Sequence, residues 1–585
     1  MNKYEPTGFA AQIFKDRYAI HSKETFEQAC KRVADYISGV EEGSKRDKYA
    51  NKFLELLLTN KFSPGGRIWR GAGRKRGQLL NCFVLPAEDS REGWGDALRD
   101  VTIISGTGGG VGLNFSKIRP RGTPIRGTGG EATGAVSLMK MINSICNELR
   151  EGGGRRSALM FCLNWDHPDL LEFLEVKLDK KELSNANISV CIDNAFLKLL
   201  QEDQEIIFKW QGEERGRIRA REVWDKIIAN SLASGDPGLL NLGLANELNP
   251  ISYVEPLMST NPCGEIFMQP YDCCCLGAVV LSNHVTNRKV DWDMLEETVA
   301  LSVRFLDNVL DQNCYPLPQI EETCQKNRRI GLGVMGLHDM LLKMGYKYSS
   351  NNAIQLVDEL MEFIKKRAYD TSIELAIEKG PFHNCDPQKH SKTKFAKRCL
   401  TASLRRRIEQ HGIRNCAILT IAPTGTTSIV SGCSSGVEPL FELVYKRNFN
   451  EHAKQHNKER ESSNEIIIHP LVQEFIEKEL STRHFESAHD IDPNSHLAMQ
   501  YVCQKHVDNA ISKTINLPQD FSTNDLSDIM EKYIHDLKGI TIYREGSKGN
   551  PPLISVSIEE AKKSLGTIHK RASVNDCPKG NCEIT

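Results

Sequence analysis

Short, nearly continuous apolar runs bounded by polar or glycine-containing turns recur through most of this chain, and their length predicts buried strands. They are "LLNCFVLP" (79–86), "VGLNFSKI" (111–118), "ALMFCLNW" (158–165), "NISVCID" (187–193), "LGAVVLS" (276–282), "CAILTIAP" (416–423), "ISKTINLP" (511–518) and "GITIYRE" (539–545). Between them lie longer stretches with helical spacing, including "MLEETVALSVRFLDNVL" (294–310) and 353–380, the second stopped by Gly380 and Pro381. Strands alternating with crossover helices predict an α/β fold. Residues 1–75 read as a helical region with a basic, Gly-rich exit, 76–546 as the α/β body and 547–585 as a polar, mobile tail. The polar run 446–465 reads as an exposed insertion, and no internal repeat is visible.

Length and charge narrow the picture. A chain of 585 residues can bury a large core, and its net charge of -1 supplies no global field for nucleic acid or an anionic membrane. Any bound phosphate must be held by local groups. The first residues lack the apolar core of a signal peptide and no apolar run approaches the length of a membrane span, so the expectation is a soluble, cytoplasmic protein. In that setting, eighteen cysteines read as free, catalytic or metal-bound rather than as a disulfide scaffold.

Candidate chemistry concentrates in "STNPCGEIFMQPYDCCCLG" (259–277). Pro262, Gly264 and Pro270 argue against a helix, so Asn261, Cys263 and Glu265 alternate along an extended or looped segment and can share one side. Cys273, Cys274 and Cys275 follow at the edge of a buried strand; consecutive cysteines suit tetrahedral zinc poorly, and no metal site is expected. Of the Gly-rich segments, "GTGGEA" (127–132) lacks the preceding strand of a dinucleotide fingerprint, and "GTGGGVG" (106–112) suits a tight turn or a close approach to a ligand. "APTGTTS" (422–428) follows a strand and offers hydroxyls and backbone N–H groups to a phosphate. Thiols beside a carboxylate, phosphate-binding turns and a terminal C-x4-C together suggest a two-electron reduction driven by a dithiol.

The segments "NCFVLP", "GGGVGLNFSKIRPRGTPIRGTGG", "DHPDLLEFLE", "TNPCGE", "RRIGLGVMG" and "TIAPTGTTSIVSGCSSGVEPLF", in this order, resemble the ribonucleotide reductase catalytic subunits, and most nearly the adenosylcobalamin-dependent class II enzymes. The resemblance implies a ten-stranded α/β barrel with the Cys263 loop threaded through its centre. It implies that Cys263 becomes a thiyl radical that takes the 3′ hydrogen of a ribonucleotide, that Glu265 acts as general base on the 3′ hydroxyl and that Asn261 orients the hydroxyls. Cys82 would be one member of the reducing pair. The second falls on Cys274, although Cys275 stands where asparagine is usual; alternation turns Cys274 away from Cys273 and Cys275, which then pack as small apolar groups. Cys577 and Cys582 match the shuttle pair that renews the dithiol.

The same resemblance assigns substrate contacts to Ser63, Asn81, Cys82, Gly110, the loop Asn261, Pro262, Cys263, Gly264 and Glu265, and the turn Pro423, Thr424, Gly425, Thr426 and Thr427. Asp89, Ser90, Arg119 and Arg126 match an effector site, and "EGGGRRSA" (151–158) a loop between effector and substrate. Implied partners are the ribonucleotide, deoxynucleotide effectors, a thioredoxin- or glutaredoxin-type reductant and a second copy in a homodimer. An N-terminal ATP-cone is not recognised. The radical source implied is adenosylcobalamin, since no Tyr-Tyr pair and no glycyl-radical motif occurs in the chain. Two alternatives stand beside this reading: a class I subunit supplied with a radical by a partner, and a non-catalytic nucleotide-binding regulator of the same fold.

Overall fold

The computed structural model describes residues 3–127, 129–149, 158–179, 181–447, 466–545, 553–560 and 562. Residues 151–157, most of the polar insertion, and the Cys577 and Cys582 pair lie outside the described residues.

The N-terminal region is built of helices Gly8–Arg17, Phe26–Ile37, Ser44–Leu58 and Gly66–Gly71. In the second of these, Phe26, Ala29, Cys30, Val33, Ala34 and Ile37 are buried, a spacing of three and four that puts all of them on one face. Thr25 starts that helix with a reciprocal cap: its hydroxyl accepts from Gln28 N (3.2 Å) while the Gln28 side chain accepts from Thr25 N (3.0 Å). The region shares its core with the body, as Phe53 packs edge-on against Phe305 at 5.1 Å.

In the body, β1 (Phe62–Pro64), β2 (Cys82–Pro86), β3 (Gly110–Asn114), β4 (Leu159–Asn164) and β5 (Ala186–Ile192) precede an exposed hairpin of β6 (Glu205–Trp210) and β7 (Glu213–Arg219). Then come β8 (Gly238–Asn241), the paired β9 (Ser259–Thr260) and β10 (Phe267–Met268), β11 (Cys273–Cys274), β12 (Leu276–Val280), the hairpin β13 (Val285–Thr286) and β14 (Lys289–Val290), and β15 (Gly331–Met335). The last are β16 (Val444–Arg447), β17 (Ile466–Ile468), β18 (Thr514–Leu517), β19 (Gly539–Arg544) and β20 (Leu553–Ser555).

Strands β2, β3, β4, β5 and β8 run parallel, and β8 meets β19 antiparallel, with β18 parallel to β19. Single bridges Ile421↔Ile511 and Leu332↔Leu419 carry the wall from the β18 segment to β15, which pairs parallel with β12. Cys275 then joins β12 to β11, which pairs antiparallel with β2. These links trace two parallel halves, set antiparallel to each other, around one circuit whose ladders give way to single bridges at two joints.

The expected strand 416–423 therefore contributes bridges rather than a ladder. Two wall strands, β8 and β15, fall outside the sequence expectation, because glycines dilute the apolar signal of "GLLN" and "GLGVM". A further difference lies in the segment read as a mobile tail: β20 pairs antiparallel with β16, and Val556 N donates to Val444 O at 2.9 Å.

The β9 and β10 strands make a narrow hairpin, Thr260 opposite Phe267 and Ser259 opposite Met268, with all four residues buried. Its approach to the wall depends on Gly112 of β3, where a Cβ would lie 1.7 Å from Thr260 O. No larger residue permits that contact.

Candidate active site

Residues 261–266 form the turn at the tip of this hairpin. Gly264 N donates to Asn261 O (3.0 Å) and Gly264 takes φ +80°, the left-handed conformation that favours glycine. The Asn261 side-chain oxygen accepts from Ile266 N at 3.0 Å, which locks the turn from within. Both halves of the wall hold it from outside. Asn187 Nδ2 donates to Pro262 O at 2.9 Å, while Ala510 N and Thr420 Oγ1 each donate to Glu265 O at 2.8 Å.

These bonds fix the course of the turn, while two of its side chains keep an open polar atom. Asn261 Nδ2 and Glu265 Oε2 are buried without a hydrogen-bond partner among the described residues. Burial pushes the Glu265 carboxyl up to about 7, with the nearby Asn261 side chain and a backbone N–H offsetting part of the effect. Cys263 opens to the cavity at the tip, yet the surrounding protein, with Glu265 and Cys82 close by, pushes its thiol well above the usual range. At neutral pH the site presents a protonated thiol beside a carboxyl poised to exchange a proton.

Cys82 and Cys274 stand directly opposite each other across β2 and β11. Such antiparallel partners have Cα atoms about 4.5–5.5 Å apart, within the span of a disulfide. Burial, and then the hydrogen bond with Cys82, raise the Cys274 thiol well above its ordinary value. Gly110, level with Cys82 on β3, keeps the space clear: a Cβ there would lie 2.8 Å from Pro262 Cγ and 3.1 Å from Cys82 Sγ.

Cys273 and Cys275 belong to the main core instead. Cys273 Sγ is 2.9 Å from Cys324 Sγ, and Cys275 Sγ is 3.6 Å from Leu306 O. Ligand-capable atoms of Asp272, Cys273 and Cys324 lie within 4.8 Å of one another, but Asp272 Oδ2 already accepts from Arg329 Nε at 2.7 Å.

A cavity of about 310 Å³ opens in front of Cys263. Ser63, Asn81, Cys82, Gly110, Pro262, Cys263 and the whole turn Pro423–Thr427 line it; Asn261, Gly264, Glu265 and Cys274 stand outside the lining. Ser63 Oγ accepts from Trp69 Nε1 (3.2 Å), and Asn81 Oδ1 is buried without a partner among the described residues. In the turn, Ser435 Oγ accepts from Thr424 N (3.0 Å) and Gly425 N (3.3 Å). Sequence reasoning missed Ser435, which lies beyond the quoted turn, and Arg17, Tyr18, Arg67 and Arg70, which bring the N-terminal helices into the lining.

Elsewhere, Asp89 and Arg119 form an ion pair at 2.9 Å, Asp89 Oδ1 also accepts from Arg119 N (3.1 Å), and Ser90 caps the helix Arg91–Gly106 through Gly93 N (2.9 Å). Arg126 is exposed in a turn and makes no described bond to these three.

The ribonucleotide reductase barrel domain matches residues 80–543 and the ribonucleotide reductase all-alpha domain matches residues 4–77. The chain belongs to the ribonucleotide reductase large-subunit family. It is 37% identical over 561 residues to a vitamin B12-dependent ribonucleoside-diphosphate reductase of Thermoplasma acidophilum, covering 92% of this chain and 70% of that protein. A protein of the same description from Mycobacterium tuberculosis (strain CDC 1551 / Oshkosh) is 33% identical over 576 residues, covering 94% and 80%. A ribonucleoside-diphosphate reductase large subunit of Caenorhabditis elegans is 29% identical over 492 residues, covering 76% and 62%.

Proposed function

We propose that this protein reduces ribonucleoside diphosphates to 2′-deoxyribonucleotides as an adenosylcobalamin-dependent, class II ribonucleotide reductase. The observation that carries the reading is the grouping of a protonated thiol, Cys263, that lines the cavity, a buried carboxyl raised to about 7 two positions further along the same turn, and a facing cysteine pair of which Cys82 reaches the cavity. Family membership and the likeness to the vitamin B12-dependent relatives support the same reading.

When bound, adenosylcobalamin would supply radical chemistry through its weak cobalt–carbon bond. The residues fit that source at Cys263, whose thiol is open to the cavity and held in the hydrogen-bearing form a hydrogen-atom donor requires. Once oxidised to a thiyl radical, Cys263 takes the 3′ hydrogen of the ribose. Glu265 accepts the 3′ hydroxyl proton, and Asn261 Nδ2, beside it, donates to a ribose hydroxyl. The 2′ hydroxyl leaves as water on protonation by the dithiol, and at the end of the cycle Cys263 returns the hydrogen to the 3′ carbon and Glu265 the proton to the 3′ oxygen. Cys82 and Cys274 give up two electrons and two protons as they close a disulfide, so that ribonucleotide and dithiol become deoxyribonucleotide, water and disulfide.

Cys577 and Cys582 then exchange with that disulfide and are renewed by a thioredoxin- or glutaredoxin-type reductant. Asp89, Ser90 and Arg119, with Arg126, bind the deoxynucleotide effector in a homodimer. The body 76–546 performs the chemistry, the helical region 1–75 covers the cavity, and the remainder carries the shuttle. Among the described residues no helix is long and apolar enough to cross a membrane.

The test is to incubate the purified full chain with dithiothreitol, adenosylcobalamin and each ribonucleoside di- and triphosphate, and to measure deoxynucleotide product. Product that depends on the cofactor and favours diphosphates is expected. Turnover only with a separate metal-containing subunit, or no turnover with any nucleotide, overturns the reading.

A further inference from the structure

Behind the reducing pair lies a second pair of sulfurs. Cys273 and Cys324 are 51 positions apart in the chain, and Cys324 Sγ donates to Cys273 Sγ at 2.9 Å. Cys273 belongs to β11, where alternation turns its side chain to the face opposite Cys274. Cys324 lies on the helix Pro318–Asn327 and meets that face from behind. Both residues are buried in the main core. Their sulfurs stand closer than the roughly 3.5–4.0 Å at which carbon atoms pack, and a further approach of about 0.9 Å brings them to a disulfide bond.

The surroundings suit a disulfide better than a metal ion. Asp272 is the third ligand-capable group within reach, but its Oδ2 accepts from Arg329 Nε (2.7 Å) and its Oδ1 from Cys273 N (2.8 Å). A cation entering there would meet the buried Arg329 guanidinium at close range; an uncharged disulfide would not. The strand also stands to gain from a brace. β11 is two residues long and meets β2 only at Cys273↔Phe83 and Cys274↔Cys82. On its near side the helix already grips the chain, since Asn327 Nδ2 donates to Gln269 Oε1 at 2.8 Å. A bond from Cys324 to Cys273 extends that grip to the strand that carries Cys274.

We propose that Cys273 and Cys324 form a second redox site, which peroxide closes to a disulfide that braces β11 from behind and takes no part in supplying electrons to the substrate. In the step both S–H bonds break and one S–S bond forms. The two electrons and two protons pass to hydrogen peroxide, whose O–O bond breaks to leave two waters. The two cysteine pairs differ in access. Cys82 lines the cavity, where a reductant can reach the Cys82–Cys274 disulfide, whereas both sulfurs of the second pair are sealed in the core. Burial, and then the hydrogen bond with Cys273, push the Cys324 thiol well above its usual range, so its oxidation is slow and waits on local opening that admits the small, uncharged peroxide.

The test is non-reducing peptide mapping by mass spectrometry. The full chain is reduced with dithiothreitol, freed of it, and held with or without hydrogen peroxide before alkylation and digestion. Peroxide is expected to link the Cys273 peptide to the Cys324 peptide. The link should form equally in Cys82→Ala, Cys275→Ala and Cys314→Ala, and be missing from Cys273→Ala and Cys324→Ala. A brief dithiothreitol treatment that reopens Cys82–Cys274 should leave it closed. Wild type treated in this way should unfold on the order of a few °C above its fully reduced form, a shift that Cys324→Ala lacks. When reduced, Cys324→Ala should turn over CDP at close to the wild-type rate.

Wild type in which peroxide closes Cys82–Cys274 but yields no Cys273–Cys324 link overturns the proposal, and that arm needs no variant to fold. So does a link that survives in Cys324→Ala, or a zinc ion held by the purified chain and lost from Cys324→Ala, which would make the pair a metal centre. Loss of turnover in a reduced Cys324→Ala whose thermal unfolding matches reduced wild type puts the pair in the path of electrons to the substrate and overturns its independence.

Discussion

Glu265 and Asp307 are both sealed from water, at 1% and 0% exposure, yet their carboxyls shift in opposite directions. Glu265 lies in the hairpin tip with one oxygen unpartnered, and burial pushes it up to about 7. Asp307, on the helix Trp292–Gln312, meets the same burial, but Arg328 and Arg414 outweigh it and hold the carboxyl below its ordinary range. Its oxygens accept from Arg328 Nε (2.9 Å), Arg414 Nε (3.3 Å) and Asn415 Nδ2 (3.1 Å). Burial alone therefore does not decide charge; the partners do. One carboxylate is spent on holding the barrel together, and the other is left ready to take up a proton.

Substitution breaks this comparison most sharply. Glu265→Gln should lower kcat by about 10²–10⁴, the usual worth of a general base, while leaving thermal unfolding near that of wild type at acid pH, where the carboxyl is protonated. Asp307→Ala should do the reverse. It leaves Arg328 with Asp311 as its remaining carboxylate and takes away the carboxylate that Arg414 faces, and it should cost about 3–5 kcal/mol in denaturant unfolding, with nucleotide affinity unchanged in whatever fraction stays folded. A Glu265 variant that unfolds, or an Asp307 variant that folds normally and does not turn over, removes the distinction.

Acid separates the two carboxyls next. Because the folded value of Glu265 lies above its ordinary 4.5, its contribution to stability is fully present below about 4.5 and lost as pH rises through about 7. Over that window wild type should lose stability, on the order of a few kcal/mol, relative to Glu265→Gln. Asp307 has the opposite sign: its contribution is present above the unfolded carboxyl value, near 3.9, and disappears as pH falls through its lower folded value. Unfolding curves of both variants against wild type, taken from pH 3 to 8, check the two signs. A coincident Glu265→Gln curve at pH 8 would contradict the raised carboxyl.

The smallest effect concerns the neighbouring thiols. Cys275→Ala should cost about 1 kcal/mol and spare turnover, since its sulfur packs against Leu306, whereas Cys274→Ala should abolish dithiol-driven product. Product yield in a single turnover without added reductant separates them.

Much of this contrast can be read along the chain, and the unreadable part has a physical cause. Asn261, Cys263 and Glu265 are adjacent in sequence, so their alternation within a proline- and glycine-marked turn is a local signal. Cys274 opposite Cys82 follows from strand alternation together with the family resemblance. Asp307 gives no such sign, because its partners lie 21 and 107 positions away and a charged residue on a helix reads as solvated. Arg17 and Arg70 were hidden for the same reason: only the packing of the helical region against the barrel turns them toward the cavity. Strands β8 and β15 escaped because close packing demands glycine where apolar pattern demands bulk; at Gly333 a Cβ would lie 2.5 Å from Thr420 O.

The pairing of β20 with β16 changes the arithmetic of delivery. Measured from Gly546, a chain reaching Cys577 has 31 positions to spend; measured from Lys562, the last described residue beyond β20, it has 15. At about 3.3 Å per residue the leash falls from roughly 100 Å to roughly 50 Å. A shorter leash confines the Cys577 and Cys582 pair to a smaller volume and raises its local concentration at any disulfide it can reach. Lengthening the chain just after residue 562 should therefore slow thioredoxin-driven turnover while leaving turnover with a small dithiol untouched.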